Sequence, residues 1–304
     1  MDMQVIINQM IVLFILMAVG FIVGKAKVLT KEGNKTLSKI VLFIALPCTV
    51  LSAVFENEAA ITIGDTVYFL LFSLLTFLIA FLISIPVIHI LGGDKANRGI
   101  LNLMSVFSNC AFMGFPVVIA IYGISSAYYV ALFNIPFNAL VFSLGIYMIA
   151  RKKGFDPKLM INPVIFAVLL AIPLAITGFR PPAVITEVLR ITGSITTPGA
   201  LLVIGASLAH VPLKSVFSEW RIIPVTLLKL IIIPIITLLV LKQFINNELM
   251  LGVLVVVSAM PTAAMASMLA VEYDGNEQIA SSGVFITTLL CGITVPLIVY
   301  LFLM

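Results

Sequence analysis

Apolar stretches of about 20 residues recur along the whole chain, and they constrain its fold more than any other feature, because a helix of that length crosses a lipid bilayer. Of the 304 residues, 62% are hydrophobic and only 10% are charged, whereas about one quarter of a soluble domain is charged. The sequence therefore predicts an all-α polytopic membrane protein. The formal net charge of +4 gives no case for a nucleic-acid partner.

Division at polar and Gly/Pro clusters predicts ten membrane spans joined by short linkers. They cover residues 3–24, 37–55, 65–91, 98–122, 126–149, 160–178, 183–209, 218–241, 248–270 and 277–303. The first span is too long for the core of a signal peptide, so we interpret it as a retained helix.

Basic residues predict the orientation, since cytoplasmic loops carry an excess of lysine and arginine. Twelve of them follow spans 1, 3, 5 and 7: Lys25, Lys27, Lys31, Lys35, Lys95, Arg98, Arg151, Lys152, Lys153, Lys158, Lys214 and Arg221. The loops of the opposite side hold Arg180, Arg190 and Lys242. We therefore expect a multi-pass protein of the cell membrane with both termini outside the cytoplasm.

Spans 4 and 9 are interrupted near their middles. The first break is Ser108-Asn-Cys-Ala-Phe-Met-Gly-Phe-Pro116, and the second is Ser258-Ala-Met-Pro-Thr-Ala-Ala-Met-Ala266. Lipid cannot hydrogen-bond loose backbone groups, so a break at membrane depth must be buried in protein or line a cavity. Paired breaks in the two halves of a chain point to the binding site of a secondary transporter.

The landmarks of the first half return in the second half at a nearly fixed offset. Three pairs recur at offsets of 151, 148 and 150 residues: Pro47 and Pro198, Pro86 and Pro234, and Ser108 and Ser258. Five spans per half is an odd number, so the second repeat, 156–304, would be inverted relative to the first, 1–155. The alternative is chance agreement, because prolines are frequent in membrane helices.

Each break is expected to start a half-helix whose N-terminus faces the bilayer midplane, near Phe115 in span 4 and after Pro261 in span 9. Two converging helix N-termini carry N–H donors and partial positive charge, so they suit an anion, most simply a carboxylate. Gly114 would supply backbone freedom, and Ser258 or Thr262 would cap the second start. The predicted substrate-binding residues are Asn109, Cys110, Gly114, Pro116, Ser258, Pro261, Thr262, Asn134 and Asn138. The alternative is two proline kinks that only shape packing.

Polar groups in other spans leave two interpretations open. Asn134 and Asn138 share one face of span 5, where they either line the cavity or bond neighbouring helices. Thr287 and Thr288 occupy the matching region of span 10 with the same ambiguity. Lys229 lies deep in span 8. In a functional role it would attract an anion or take part in proton coupling. In a structural role it would snorkel toward the membrane surface or pair with a carbonyl at a break.

The sequence gives no support to catalysis or to a cofactor. Cys48, Cys110 and Cys291 lie in apolar segments without metal-ligand spacing, so we expect neither a metal site nor a disulfide. The predicted spans contain no pair of polar residues at the same depth in the membrane that would suit an intramembrane enzyme. They also contain no adjacent pair of acidic residues of the kind that suggests a sodium–proton antiporter. The chain is therefore predicted not to be an enzyme.

Five groups of residues form a pattern that extends over essentially the whole chain. They are Leu46-Pro47, Ser108 to Pro116, Thr197-Pro-Gly-Ala-Leu-Leu202 with Gly205, Lys229 with Pro234, and Met260-Pro-Thr-Ala-Ala264 through Tyr273. With this pattern the chain resembles the auxin efflux carrier family, the membrane transport proteins that include plant PIN carriers and bacterial malate or malonate permeases.

The resemblance implies a fold and a mechanism. It implies ten helices in two inverted five-helix repeats with broken, crossing helices 4 and 9, an architecture like that of sodium–proton antiporters and bile-acid symporters. Scaffold helices 1, 2, 6 and 7 and transport helices 3–5 and 8–10 would move past one another in an elevator-like step. By this likeness Asn109, Pro116 and Pro261 belong to the binding region. Many relatives have a polar residue, often Asn, soon after the second proline, where this chain has Ala263-Ala-Met265. This departure makes the site less polar, so the substrate of a relative cannot be assigned to this chain from the resemblance.

The leading hypothesis is a secondary active transporter of a small organic anion, such as malate, malonate or an auxin-like aromatic acid. The alternatives are a non-transporting membrane sensor or scaffold, and a sodium-coupled symporter of another class of solute. The expected partners are the anion and the lipid bilayer, and the hypothesis leaves open proton or sodium coupling and a homodimer.

Overall fold

The regular structure of this chain is helical throughout the part that the computed structural model describes, which is residues 3–56, 62–150, 163–211, 219–273 and 275–302. One isolated antiparallel β-bridge, between Ser108 and Thr262, is the exception within those ranges. Seven helices there are long and apolar enough to cross a membrane. The prediction of an all-helical polytopic membrane protein is thereby confirmed.

Eight α-helices precede the predicted boundary between the two repeats. They are α1 (Met3–Lys25), α2 (Lys31–Ile40), α3 (Leu46–Glu56), α4 (Ile63–Leu91), α5 (Lys95–Val106), α6 (Phe115–Tyr122), α7 (Ala127–Leu140) and α8 (Ile146–Ala150). Wider π-helical turns occur at Val41–Ala45, Cys110–Gly114 and Val141–Gly145, and a short 3₁₀ turn at Ile124–Ser126 precedes α7.

Eight more described helices follow that boundary. They are α9 (Pro163–Thr177), α10 (Ala183–Gly193), α11 (Thr196–Ala209), α12 (Ile222–Leu227), α13 (Ile233–Leu241), α14 (Glu248–Ser258), α15 (Met265–Glu272) and α16 (Glu277–Phe302). A π-helical turn at Leu228–Ile232 joins α12 to α13 within one continuous span.

Spans 4, 6 and 9 of the sequence analysis contain shorter apolar helices than the other seven. These helices are Cys110–Tyr122, Pro163–Thr177 and Glu248–Ser258. Spans 4 and 9 are the two interrupted ones, and each is divided into two helical pieces, as the break residues predict. The arrangement of ten spans as inverted repeats stays a prediction.

Three of the π-helical turns end two residues before a proline, at Pro47, Pro116 and Pro234. Proline has no N–H, and its ring presses on the carbonyl four residues earlier, which is the central residue of each of these turns. The turn therefore widens instead of closing an α-helical hydrogen bond. These prolines deform their helices locally without ending them.

The contacts between residues divide the chain into two units, each built from separate segments. The first unit is Met1–Leu71, Ala111–Ile135 and Ile161–His210, and the second is Phe72–Cys110, Pro136–Met160 and Val211–Met304. The assignments of two sequence repeats, and of scaffold and transport helices, stay predictions.

In the first unit, glycines bring the backbones of α1 and α11 into close approach. A Cβ atom on Gly20 would lie 2.5 Å from the carbonyl oxygen of Leu202, and one on Gly205 would overlap the carbonyl oxygen of Met17. Small residues at such crossings allow the van der Waals packing on which helix association in lipid depends. Gly205 is thus required by the packing of two helices.

In the second unit, four phenylalanine rings pack around the end of α5. Phe107, which follows α5, has its ring centroid 5.9 Å from that of Phe77, 6.0 Å from that of Phe81 and 5.8 Å from that of Phe137. Tilted and edge-to-face pairs at such distances are favourable arrangements of aromatic rings. The cluster fixes the point at which the chain leaves α5 and enters the first break.

We expect Gly205→Ala to destabilise the protein by about 1–3 kcal/mol, because the new methyl group forces α1 and α11 apart. Gly64→Ala is the matched control, since a Cβ on Gly64 would meet only Thr62 Oγ1, at 3.5 Å. The measurement is the thermal unfolding midpoint of the purified protein in detergent. Equal midpoints for the two variants would show that this close approach does not limit stability.

Candidate functional site

The start of the first break, up to Cys110, meets the second break within the second unit, and the two pair through their backbones. The amide of Asn109 donates to the carbonyl oxygen of Pro261 at 2.7 Å, and the amide of Ala263 donates to that of Phe107 at 2.9 Å. Both bonds flank the bridge between Ser108 and Thr262. This short antiparallel ladder satisfies backbone groups that no helix pairs, in a place where these residues are buried.

Two threonines anchor the second break to neighbouring helices. Thr262 Oγ1 donates to the carbonyl oxygen of Met104 in α5 at 3.0 Å. The amide of Thr262 donates to Thr287 Oγ1 in α16 at 3.1 Å, and that hydroxyl donates to the carbonyl oxygen of Gly283 at 2.7 Å. Thr287, whose role the sequence left open, therefore holds the second break in place.

Lys229 joins the two breaks from the π-helical turn of span 8. Its side chain is 1% exposed. Lys229 Nζ donates to Ser108 Oγ at 2.5 Å and to the carbonyl oxygen of Ser258 at 3.2 Å. Ser108 Oγ also donates to that carbonyl oxygen, at 3.4 Å. Of the interpretations that the sequence allows for Lys229, pairing with a carbonyl at a break is confirmed.

The ammonium group of Lys229 has neutral partners. Among the described residues, no carboxylate lies within salt-bridge distance of it. A lysine at the centre of a membrane helix costs about 2.5–3.5 kcal/mol on insertion scales, so such a charge usually finds an acid or water. Here the partners of the amine are a hydroxyl and a carbonyl oxygen, and neither of them carries a negative charge that would balance an ammonium group.

The second half of span 4 begins earlier than the sequence predicts. Its helical backbone starts at Cys110, in the π-helical turn, and not near Phe115. Gly114 has φ −59° and ψ −50°, which is ordinary right-handed helix. The expectation that Gly114 supplies unusual backbone freedom is therefore wrong. Pro116 widens the turn instead, and the extended part of the break is limited to residues 107–109.

The prediction that Ser258 or Thr262 caps the second half-helix is also wrong. Helix α15 begins at Met265, and its N-cap residue, Ala264, supplies no side-chain acceptor. Ser258 Oγ donates to the carbonyl oxygen of Val255 at 2.7 Å, within α14. Ser258 Oγ shares its acceptor with the amide of Ala259, which donates to the same Val255 carbonyl oxygen at 3.0 Å, whereas Thr262 Oγ1 donates to the Met104 carbonyl oxygen.

The other predicted site residues are buried but belong to different units. Asn134 Nδ2 donates to the carbonyl oxygen of Val130, one turn earlier in α7, at 2.8 Å. The second unit holds seven of the ten predicted residues: Asn109, Cys110, Asn138, Lys229, Ser258, Pro261 and Thr262. Gly114, Pro116 and Asn134 belong to the first unit.

Ser108 is the functional candidate that the sequence prediction missed. It was recognised only as a landmark before the first break, whereas its hydroxyl is the nearest described acceptor for Lys229. Ser108 and Lys229 are 121 residues apart in the sequence, so their spacing does not indicate that they pair. The signal that would have found it is the equivalence of Ser108 and Ser258, which are 150 residues apart and contact each other.

Comparison with known proteins gives a family and several relatives. The family described as "Membrane transport protein" matches residues 5–158 and 155–299. An "Uncharacterized transporter" of Methanocaldococcus jannaschii is 29% identical over 298 residues, which cover 92% of this chain and 94% of that protein. One of Escherichia coli is 25% identical over 308 residues, which cover 97% and 96%. A protein of Rhizobium meliloti named "Putative malonate transporter" is 23% identical over 303 residues, which cover 95% and 93%.

We expect Ser108→Ala to lower the free energy of unfolding by about 1–3 kcal/mol, because it removes an acceptor from a buried ammonium group. Ser105→Ala is the matched control, since Ser105 is equally buried and donates only to the Leu101 carbonyl oxygen, at 2.9 Å. Denaturant unfolding in detergent gives both values. In a Lys229→Met background the effect of Ser108→Ala should largely disappear, and an undiminished effect would contradict the pairing.

Proposed function

The chain belongs to the membrane transport protein family, which includes the auxin efflux carriers, and from this premise we propose that it is a secondary active transporter of a small organic anion. The observation that carries the proposal is the buried ammonium group of Lys229, which joins the two breaks without a carboxylate partner among the described residues. A substrate carboxylate is the charge that this arrangement lacks.

The helix starts near the breaks support the same class of substrate. Helical backbone begins at Cys110 after the first break and at Met265 after the second. The first amides of a helix have no partner within it, and its N-terminus carries a partial positive charge. An anion near such an end gains up to about 2 kcal/mol when the geometry is partly buried. The amides of Cys110 and Ala266 donate to the carbonyl oxygens of Ser108 and Ala263, whereas the N-cap residue of α15, Ala264, supplies no side-chain acceptor for the other amides of that helix start.

We assign substrate binding to the residues at and beside the breaks. Asn109 is the residue proposed for direct contact, because an amide both donates to a carboxylate and accepts from a hydroxyl. The remaining proposed contacts are Cys110, Gly114, Pro116, Asn134, Asn138, Ser258, Pro261 and Thr262, with Lys229 compensating the charge. Ala263 to Met265 add apolar surface, which suits a compact acid with few hydroxyl groups. The name of the Rhizobium meliloti relative makes malonate the first compound to test.

We expect proteoliposomes that contain this protein to take up a labelled carboxylate with saturable kinetics. The carboxylates to test are malonate and an aromatic monocarboxylate. Asn109→Leu and Lys229→Met should lower the initial rate by roughly tenfold or more, since each removes a hydrogen-bond donor to a charged group. Asn34→Leu is the control, because Asn34 bonds instead to Ser207 Oγ, at 2.9 Å, in the first unit. Absence of saturable flux across a broad panel of carboxylates would overturn the proposal, and non-saturating unitary conductance would indicate a channel.

We further propose that transport uses elevator-type alternating access, in which the unit that carries the paired breaks moves relative to the other. The chain passes from one unit to the other at five places, and three of them are Leu71/Phe72, Cys110/Ala111 and Ile135/Pro136. Two of these passages fall at the π-helical turn Cys110–Gly114 and at the helix-interior Pro136. Wide turns and prolines are the places where a helix bends most readily.

We expect spin labels at positions 188 and 268, exposed sites in the first and second unit, to report this movement. Adding the substrate found in the flux assay should shift their distance distribution by at least about 5 Å, one helical turn. A pair at positions 22 and 188, both in the first unit, should not shift. Identical distributions for the first pair with and without a transported substrate would contradict the elevator step.

A further inference from the structure

A cavity separate from the breaks lies within the second unit between α4, α5 and α8. Its volume is about 840 Å³. Its apolar wall is formed by α4, with Leu78, Phe81, Leu82 and Ile85. One end of the cavity is polar and is lined by His89, Arg98 and Asn102. A further side is formed by Leu144, Tyr147 and Met148. Gly99 forms its floor, where a Cβ atom would overlap the carbonyl oxygen of Met148.

The polar end of this cavity is cationic. Arg98 Nη1 lies 3.0 Å from His89 Nδ1. Because a guanidinium group can only donate, this ring nitrogen accepts, and the proton of the neutral ring is then on Nε2. Among the described residues, no carboxylate lies within salt-bridge distance of Arg98. The nearby Asp94 caps α5 by accepting from the amide of Asn97 at 2.7 Å.

Two buried polar atoms at this end lack hydrogen-bond partners. Arg98 Nε is buried without an acceptor, and Asn102 Oδ1 is buried without a donor. Asn102 Nδ2 is used, since it donates to the carbonyl oxygen of Arg98 at 3.0 Å. Buried polar atoms are rarely left unpaired in a native protein, so each of them needs an explanation. An oxyanion that carries hydroxyl groups would pair with both.

The apolar wall extends away from the cationic end along one face of α4. Leu78, Leu82, Ile85 and His89 are spaced by four, three and four residues, the spacing of a single helix face. From Leu78 to His89 this face is about 16 Å long. Leu82 and Ile85 are 65% and 51% exposed. In a membrane protein, an exposed apolar face of this kind contacts acyl chains.

We propose that this groove binds an anionic phospholipid, whose phosphate and hydroxylated headgroup lie at Arg98, His89 and Asn102 and whose acyl chain lies along Leu78, Leu82 and Ile85. The charge of Arg98 selects an anion, and the apolar face selects an anion with a hydrocarbon chain. The connection between α4 and α5 is on the side that the basic residues predict to be cytoplasmic. Basic pockets between membrane helices on that side are a known form of lipid-headgroup site.

Native mass spectrometry of the delipidated protein tests the proposal with phosphatidylglycerol as the probe. Dioleoyl phosphatidylglycerol should bind more tightly than dioleoyl phosphatidylcholine, and Arg98→Gln should weaken its binding roughly fivefold. Arg98→Lys, which keeps the charge, should retain most of the affinity. Lys35→Gln, which removes an exposed basic residue of the first unit on the same predicted side, should leave the affinity unchanged.

Two further binding measurements on the wild-type protein distinguish a lipid from a soluble anion. They test the proposal even if Arg98→Gln fails to fold. A short-chain dihexanoyl phosphatidylglycerol should bind at least tenfold more weakly than the dioleoyl form, and millimolar inorganic phosphate should not displace the long-chain lipid. Equal affinity for phosphatidylcholine, equal affinity of the two chain lengths, or displacement by phosphate would each overturn the proposal. The readout is binding, so it is independent of whether the chain transports an anion.

Discussion

The local structure at the two breaks depends on one constraint, which is that every backbone polar group at membrane depth needs a partner from the protein. Helix α5 ends at Val106 and α14 ends at Ser258, so both leave carbonyl groups without amide donors. The amides of Asn109 and Ala263 satisfy two carbonyls across the bridge. Thr262 satisfies the carbonyl of Met104, and Lys229 and Ser108 satisfy that of Ser258.

Lys229 has an observed structural role at the breaks, and the proposed function gives it a second role in attracting the substrate. Its ammonium group is a structural donor to a carbonyl oxygen and a hydroxyl at the breaks. Both partners are neutral, so neither of them would balance a positive charge on this side chain. In the proposed function, the geometry that holds the breaks together would also attract an anion.

The prolines show how a single residue type produces different results in different helices. Pro47, Pro116 and Pro234 each follow a widened turn, whereas Pro86, Pro136 and Pro296 lie inside α-helices without a π-helical turn ending two residues before them. The widened turn before Pro234 contains Lys229. Sequence landmarks at a fixed offset therefore need not have the same local structure, as Pro86 and Pro234 show.

The class of the protein and the position of its irregular segments follow from the sequence alone. A composition of 62% hydrophobic residues dictates a lipid-embedded helical chain, and Pro and Gly in apolar spans locate the breaks, because backbone chemistry is local. The sequence could not determine which groups would satisfy the breaks. Ser108 and Lys229 are 121 residues apart, and the hydroxyls of Ser258 and Thr262 turned to carbonyls instead of capping α15. Hydrogen bonds between distant segments depend on which helices pack together, and that packing is visible only in the folded chain.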